Sequence, residues 1–444
     1  MKTDELILYR DFDYKELFND IAELYKKCTK RNPENSLEEL TRKASSSSGE
    51  LLEIAGTYGF DGNLWHCFLT LYLVSSENAF SVASEKKDAI DGSLNEVAKH
   101  DFAIFRECFG WDLDKIDSFL QINAFSFTKE YKASNSDGAL FNRRIRDRIC
   151  ETALSLESAA DNDEFLTQMR AFYRDFGVGK FGLHKAFRIE HDNEGKTIIV
   201  PITRVKHVNL DDLIGIDAQK KQLTYNTEAF LAGRKANNVL MFGDAGTGKS
   251  SSVKGILNRY YPEGLRMIEV YRHQFKDIND VIAQIKNRNY KFILYMDDLS
   301  FEDEETEYKY LKAIIEGGLE KKPDNVLIYA SSNRRHLIHE NFGDKLDVRK
   351  DDDLHASDTV QEKLSLSARF GVKIYFGRPG KREFNEIVKS IAERSGVKMS
   401  EAELLAEANK WELRNGGMSG RTAEQFIDYC LGDLSYGDKD ICGN

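Results

Sequence analysis

Apolar residues recur every three or four positions through most of the first 200 residues. Leu17, Ile21, Leu24 and Tyr25 share that spacing, as do Phe102, Phe105 and Phe109, and again Phe165, Met169, Phe172 and Tyr173. The period predicts helices that bury one face. Leu64 to Val74 is an apolar run of 11 residues with His66 and Thr70 inside it. It is too short to span a bilayer and predicts a buried helix. Ser45 to Gly49 predicts a polar break between two helices. Ile189 to Thr203, with Ile198-Ile199-Val200 among turn residues, predicts a short hairpin or linker. From about residue 206 the pattern changes to alternating strands and helices. Strands are predicted at about 239–243, 266–271, 292–297, 326–331 and 372–376, and helices at about 250–260, 278–288, 306–320 and 361–369. Such alternation predicts a mainly parallel sheet covered by helices. Beyond Pro379 only helical spacing remains, at about 381–394, 400–414 and 420–431. The expected domains are therefore 1–205, mostly helical; 206–378, α/β; and 379–444, a helical subdomain. No internal repeat is visible.

Composition narrows the class. The chain of 444 residues is 41% hydrophobic and 31% charged, in the range of folded globular proteins. Its net charge of −11 argues against coating nucleic acid non-specifically, since that affinity comes from cations neutralising phosphates. Cys28, Cys67, Cys108, Cys150, Cys430 and Cys442 include no C-x-x-C pair, so they read as free thiols in a reducing compartment. Met1 to Glu5 lacks a basic start followed by an apolar run, so no signal peptide and a cytoplasmic location are expected.

The chemistry concentrates in Gly243-Asp244-Ala245-Gly246-Thr247-Gly248-Lys249-Ser250, which fits the phosphate-loop pattern G-x-x-x-x-G-K-[ST] at every fixed position. An apolar strand precedes it and a helix beginning Ser250-Ser251 follows, the context the pattern requires. The three glycines let the backbone come close to a polyphosphate. Loop and first-turn N–H groups, through Ser251, would face phosphate oxygens. Lys249 would place its charge on the β- and γ-phosphates, and the Ser250 hydroxyl would be a magnesium ligand.

Four further positions fit a nucleotide site, each with a plainer explanation. Phe292 to Met296 is an apolar strand ending in Asp297-Asp298. Asp297 at that tip can hold magnesium, and Asp298 can orient or deprotonate water; alternatively, a buried strand simply runs into an acidic turn. Asn333 ends the next strand, where an amide could position water, or it is a turn residue. Arg369 ends a helix, where a cation is favourable in any case. Arg421 follows Gly416-Gly417-Met418-Ser419-Gly420 at a helix start and could be merely solvated.

The order of these elements resembles the AAA+ ATPase superfamily. The chain is similar, more closely, to an uncharacterised bacterial family of AAA+-type ATPases, the domain-of-unknown-function family numbered 815. The strings that carry this are Phe176-Gly177-Val178-Gly179-Lys180-Phe181-Gly182-Leu183, Asn237-Asn238-Val239, Asp297 to Glu302, Ser331 to Leu337, and Glu362 to Gly371. The resemblance implies a P-loop AAA+ α/β fold with sheet order 5-1-4-3-2 and a helical lid. It implies ATP and Mg2+ at Lys249, Ser250 and Asp297, sensor-like roles for Asn333 and Arg421, and an arginine-finger role for Arg369. Asp211-Asp212-Leu213-Ile214-Gly215 resembles the segment that packs near adenine, which brings Ile214 and Gly215 into the site. Most active members of the superfamily carry Glu where this chain has Asp298, one methylene shorter; Glu302 is a substitute four residues on. The reading is an ATP hydrolase acting as a homo-oligomer on a macromolecular partner, protein rather than nucleic acid. Its rivals are a slow-turnover switch or scaffold and a DNA-replication or transposition accessory factor.

Overall fold

In the computed structural model, residues 3–30, 36–86, 92–133, 143–203, 205–299, 307–316, 323–333 and 368–435 are described. They form two compact units, Met1–His184 and Lys185–Asn444.

The first unit is helical. Leu64–Ser75 lies at its centre, with every residue from Leu64 to Val74 buried, as expected for a helix that is apolar all round. Asn63 caps it by accepting the Trp65 and His66 N–H groups. Around it pack helices including Lys15–Lys30, Leu37–Tyr58, Ser93–Phe109, Arg143–Glu157 and Asn162–Phe176. Phe18 meets Trp65, Tyr72 and Phe105 in the aromatic centre. One expectation fails here. Ser45 to Gly49 does not break the chain but lies inside the continuous helix Leu37–Tyr58. Ser47 and Ser48 share the buried face with Leu40, Ala44 and Leu51. Ser48 Oγ donates to the Ala124 carbonyl at 2.7 Å, so its polar atom is satisfied while its small volume permits close packing.

The second unit is built on a seven-stranded sheet. Its strands are β1 (Ala186–His191), β2 (Thr197–Pro201), β3 (Val239–Gly243), β4 (Leu265–Glu269), β5 (Lys291–Met296), β6 (Val326–Ser332) and β7 (Val372–Phe376). They lie in the order β2-β1-β4-β5-β6-β3-β7. Every neighbouring pair is parallel except the β1–β2 hairpin. The Ile189 to Thr203 region is indeed a hairpin, but it is no mere linker, because β1 pairs in parallel with β4 and extends the sheet. All of β6 and nearly all of β3 and β5 are buried, the pattern of strands covered on both faces.

Asn237-Asn238 serves this framework. Asn238 Oδ1 accepts the Ile328 N–H at 3.0 Å, and Asn237 exchanges two hydrogen bonds with Asn226 of helix Asp217–Leu231. Helices Lys381–Ser395, Glu401–Arg414 and Gly420–Ser435 follow β7 and enclose a small core of Phe384, Val388, Leu404, Ala408, Phe426 and Ile427. Of the predicted helix 361–369, residues 361–367 lie outside the described residues, as does Glu302. Among the described residues, no helix is long and apolar enough to cross a membrane.

Candidate nucleotide site at the carboxyl edge of the sheet

The carboxyl ends of β3, β5 and β6 converge, which is where open α/β sheets bind ligands. β3 delivers the phosphate loop there. Gly243 has φ +132°, and a Cβ on it would collide with the Phe376 carbonyl oxygen at the end of β7, so only glycine fits. Asp244 N–H donates to that same oxygen at 3.1 Å. Thr247 Oγ1 closes the loop onto the Asp244 carbonyl at 2.8 Å. Gly248, at φ +98°, starts helix Lys249–Tyr260.

Lys249 is buried, and its ammonium donates to the Gly243 and Asp244 carbonyls at 3.0 and 2.7 Å. Burial lowers its pKa from the ordinary lysine value, and the Arg421 charge adds to this, against opposition from Asp297, Asp244 and Asp298. The loop therefore carries a desolvated cation held by two carbonyls, a position that phosphate oxygens can compete for.

Asp297 follows β5 directly. Ser250 Oγ donates to its Oδ1 at 2.9 Å. Tyr295 Oη donates to the same oxygen at 2.7 Å, and so does Ser331 Oγ. Burial pushes the Asp297 carboxyl up, but donation from Ser331, Tyr295, Ser250 and the Asp298 N–H outweighs it, and the net direction is down. Asp297 is therefore a carboxylate at neutral pH. Tyr295 moves the other way, raised by burial and by the Asp297 charge. A hydroxyl and a carboxylate side by side are the hard oxygen donors that magnesium takes. Among the described residues, no group of three or more His, Cys, Asp or Glu side chains could hold a metal alone. The donor set thus fits an ion that completes its shell with water and phosphate oxygens.

Asp298 stands in the left-handed region at φ +53°. Its N–H donates to Ser331 Oγ at 3.1 Å, and its Oδ1 accepts from Asn333 Nδ2 at 2.8 Å. Asn333, at the exposed tip of β6, therefore meets Asp298.

The lid helix Gly420–Ser435 begins on the phosphate loop. Arg421 N–H points to the Gly246 carbonyl at 3.4 Å, and a Cβ on Gly246 would lie 2.9 Å from Ser419 Oγ and 3.1 Å from Arg421 Cβ. Gly215, at φ +78°, approaches Glu383 of the first lid helix, while Ile216 Cδ1 lies 3.3 Å from where a Cβ on Gly248 would stand. Ile214-Gly215 thus runs between loop and lid. Asp212 ties this segment to the lid through Arg394 at 2.7 Å.

Arg369 is not brought to this cluster. It is three residues ahead of β7, and Gly371 beside it packs on Asn237, at the end of β3 remote from the loop. The register Val239↔Val372 to Gly243↔Phe376 sets about 13 Å of strand between the two ends, at roughly 3.3 Å per residue.

Sequence reasoning missed three participants. Tyr295 is two residues before Asp297, which continues the line of β5, so strand alternation carried one step further puts both side chains on one face. Ser331 extends the Met296↔Ala330 register by one step, and register is invisible before the strands are paired. Arg378, just past β7, stands 3.9 Å from Asp244 and 3.5 Å from the Gly416 carbonyl, joining loop to lid; no motif marks it.

Among solved structures, the chain resembles a mutant of Thermotoga maritima RuvB at 17% identity and a TM-score of 0.37, over 52% of this chain and 68% of that one. It resembles the FIGL-1 AAA domain in complex with ADP at 15% identity and a TM-score of 0.37, over 53% and 77%. The ORC1 protein of Aeropyrum pernix in complex with DNA is similar at 15% identity and a TM-score of 0.38, over 51% and 62%. No curated protein matches the chain. Residues 182–434 match the family described as Protein of unknown function (DUF815), and with more than half of its length inside that match the chain belongs to the DUF815 family.

Proposed function

We propose that the second unit binds ATP with magnesium and hydrolyses it, working as a homo-oligomer on a macromolecular partner. The observation that carries this reading is the convergence of Lys249, Ser250 and Asp297 at a loop whose Gly243 is required by its close approach to the Phe376 carbonyl. Backbone N–H groups from Gly246 to Ser251 would hold the phosphates, and Lys249 would exchange its two carbonyl partners for phosphate oxygens. Ser250 and Asp297 would hold magnesium, which when bound neutralises charge on the β- and γ-phosphates. Asp298 would orient and deprotonate the attacking water, with Asn333 fixing its carboxylate. Ile214, Gly215 and the lid would enclose the base, and Arg421 would report the γ-phosphate to the lid. Arg369 would act on the neighbouring subunit's site.

A second reading, a slow-turnover ATP switch, is favoured by one observation. Asp298 is a short carboxylate already engaged by Asn333, so its reach to a water is restricted. Titration calorimetry with Mg·ATP on the full chain tests binding in either reading. Phosphate release measured across protein concentrations separates them: turnover that rises with concentration supports the oligomeric hydrolase, and tight binding with negligible release supports the switch. Absence of binding would remove both.

A further inference from the structure

The helical first unit holds a pair of side chains that nucleotide chemistry does not use. Cys67 lies in the first turns of the central helix Leu64–Ser75, and Cys150 lies in the middle of helix Arg143–Glu157. These residues are 83 positions apart in sequence, yet their sulfurs stand 3.8 Å apart. Both thiols also point to one acceptor, the Asp61 carbonyl, at 3.7 Å from Cys67 and 3.9 Å from Cys150. The shared acceptor fixes both side chains toward the same point. The two differ in access: Cys67 is 3% exposed, whereas Cys150 is half-buried. The other described cysteines, Cys28, Cys108 and Cys430, are buried.

We infer that Cys67 and Cys150 form a modification site for hydrogen peroxide, in which Cys150 is oxidised first and Cys67 closes a disulfide onto it. The helices Leu64–Ser75 and Arg143–Glu157 are already packed, so closure needs the sulfurs to move only from 3.8 Å to the bonded distance of about 2 Å. The steps balance. The Cys150 thiolate attacks the peroxide, forming an S–O bond and breaking the O–O bond, and one water leaves after protonation. The Cys67 sulfur then displaces the hydroxyl from the Cys150 sulfenic acid, losing its proton, and a second water leaves. Two thiols are oxidised by two electrons, and one peroxide is reduced to two waters. The direction of the pair's titration agrees with these roles. Donation from Cys67, with the Arg146 charge adding to it, lowers the Cys150 thiol below its ordinary value despite burial. Cys67 is raised by its bond to Cys150 and by burial. Access assigns the attacking role to Cys150, the half-buried thiol, and the resolving role to Cys67, the protected one.

The test treats the full chain with hydrogen peroxide, quenches with an alkylating reagent, and compares intact mass and unreduced peptides. The expected result is a loss of two hydrogens in mass, a Cys67–Cys150 cross-linked peptide as the first product, and full reversal by dithiothreitol. C67S should instead stop at a sulfenic acid on Cys150 that a dimedone probe captures. C150S should leave Cys67 unmodified at the same dose. Far-ultraviolet circular dichroism before treatment establishes that both variants fold, and C67A and C150A replace any that does not. The inference is overturned if another thiol, Cys442 included, reacts or pairs first, if Cys150 proceeds to sulfinic acid in the wild-type chain without a disulfide, or if no thiol is lost.

Discussion

Asn333 Nδ2 donates to Asp298 Oδ1 at 2.8 Å, which joins the tips of two neighbouring strands through the side chains proposed to handle water. Asp298 is held there in a left-handed conformation that few residues other than Gly, Asn and Asp adopt readily. Its Oδ1 is turned toward Asn333 and its backbone toward Ser331. If this carboxylate is the general base, Asp298→Asn leaves ATP affinity near the wild-type value and lowers turnover by roughly 10²–10⁴-fold, the usual contribution of such a group. Asparagine also tolerates the backbone conformation, so the fold survives. Glu302→Gln has little effect. The pair of steady-state phosphate-release rates decides: a dead Glu302→Gln with an active Asp298→Asn places the base at 302.

Lys249 gives a prediction about both affinity and protons. Lys249→Ala removes at least one hydrogen bond from a cation to phosphate, contributing about 1.5–3 kcal/mol, so affinity for Mg·ATP falls by at least roughly 10- to 150-fold. Lys254 lies beyond the loop and cannot replace it. The proton sign follows from burial. In the free protein the lysine titrates below its ordinary value of 10.5, so between those two values part of the population is neutral. Phosphates nearby favour the charged form and raise the pKa. Binding in that alkaline window therefore takes up protons. Calorimetry in buffers of different ionisation enthalpy measures this uptake, and Lys249→Ala abolishes it. Equal proton exchange in both proteins would show that another group titrates.

Ser331 separates positioning from folding. It and Tyr295 share Asp297 Oδ1 with Ser250, so they hold the carboxylate in place without being candidate ligands of the metal themselves. Ser331→Ala and Tyr295→Phe should raise the magnesium concentration needed for half-maximal turnover several-fold, on the scale of about 1 kcal/mol for one hydrogen bond. Binding of ATP without magnesium should stay unchanged. A magnesium dependence identical to wild type would reduce both residues to packing.

The parts of the fold that sequence made legible are those governed by local periodicity. The β3 to Lys249–Tyr260 unit and the buried helix from Leu64 follow from short-range spacing and glycine chemistry. What stayed hidden depends on neighbours far along the chain. Ser45 to Gly49 reads as a break because serine and glycine are poor helix formers in isolation. Ser47 and Ser48 stay helical because a packing face accepts small side chains and the Ala124 carbonyl accepts Ser48 Oγ. The β1–β2 segment reads as no more than a hairpin or linker because nothing local declares that Phe187 pairs beside Ile268. The site divides in the same way. The phosphate loop and Asp297 carry motifs, whereas Ser331 and Arg378 are in place only through strand register and the turn after β7.

Arg369 sets the last expectation. Strand register puts it at the end of β7 remote from the phosphate loop of its own chain, across about 13 Å of strand. That length of strand exceeds the reach of an arginine side chain, so the role proposed for Arg369 is at a neighbouring subunit's γ-phosphate. A guanidinium supplied in trans stabilises transition-state charge and contributes on the order of 10³–10⁵ in rate. Specific activity should therefore rise with protein concentration, and Arg369→Ala should bind ATP normally while losing turnover. Lys249→Ala offers an intact arginine without a working pocket, and Arg369→Ala offers an intact pocket without the arginine. Mixing two inactive proteins should restore part of the activity, because some interfaces then pair a working pocket with a working arginine. The measurement is phosphate release across mixing ratios, with light scattering to follow assembly in ATP. Activity per subunit that stays flat on dilution, from a protein that remains monomeric with ATP bound, would exclude the mechanism. Assembly without rescue would exclude Arg369 as the group supplied across the interface.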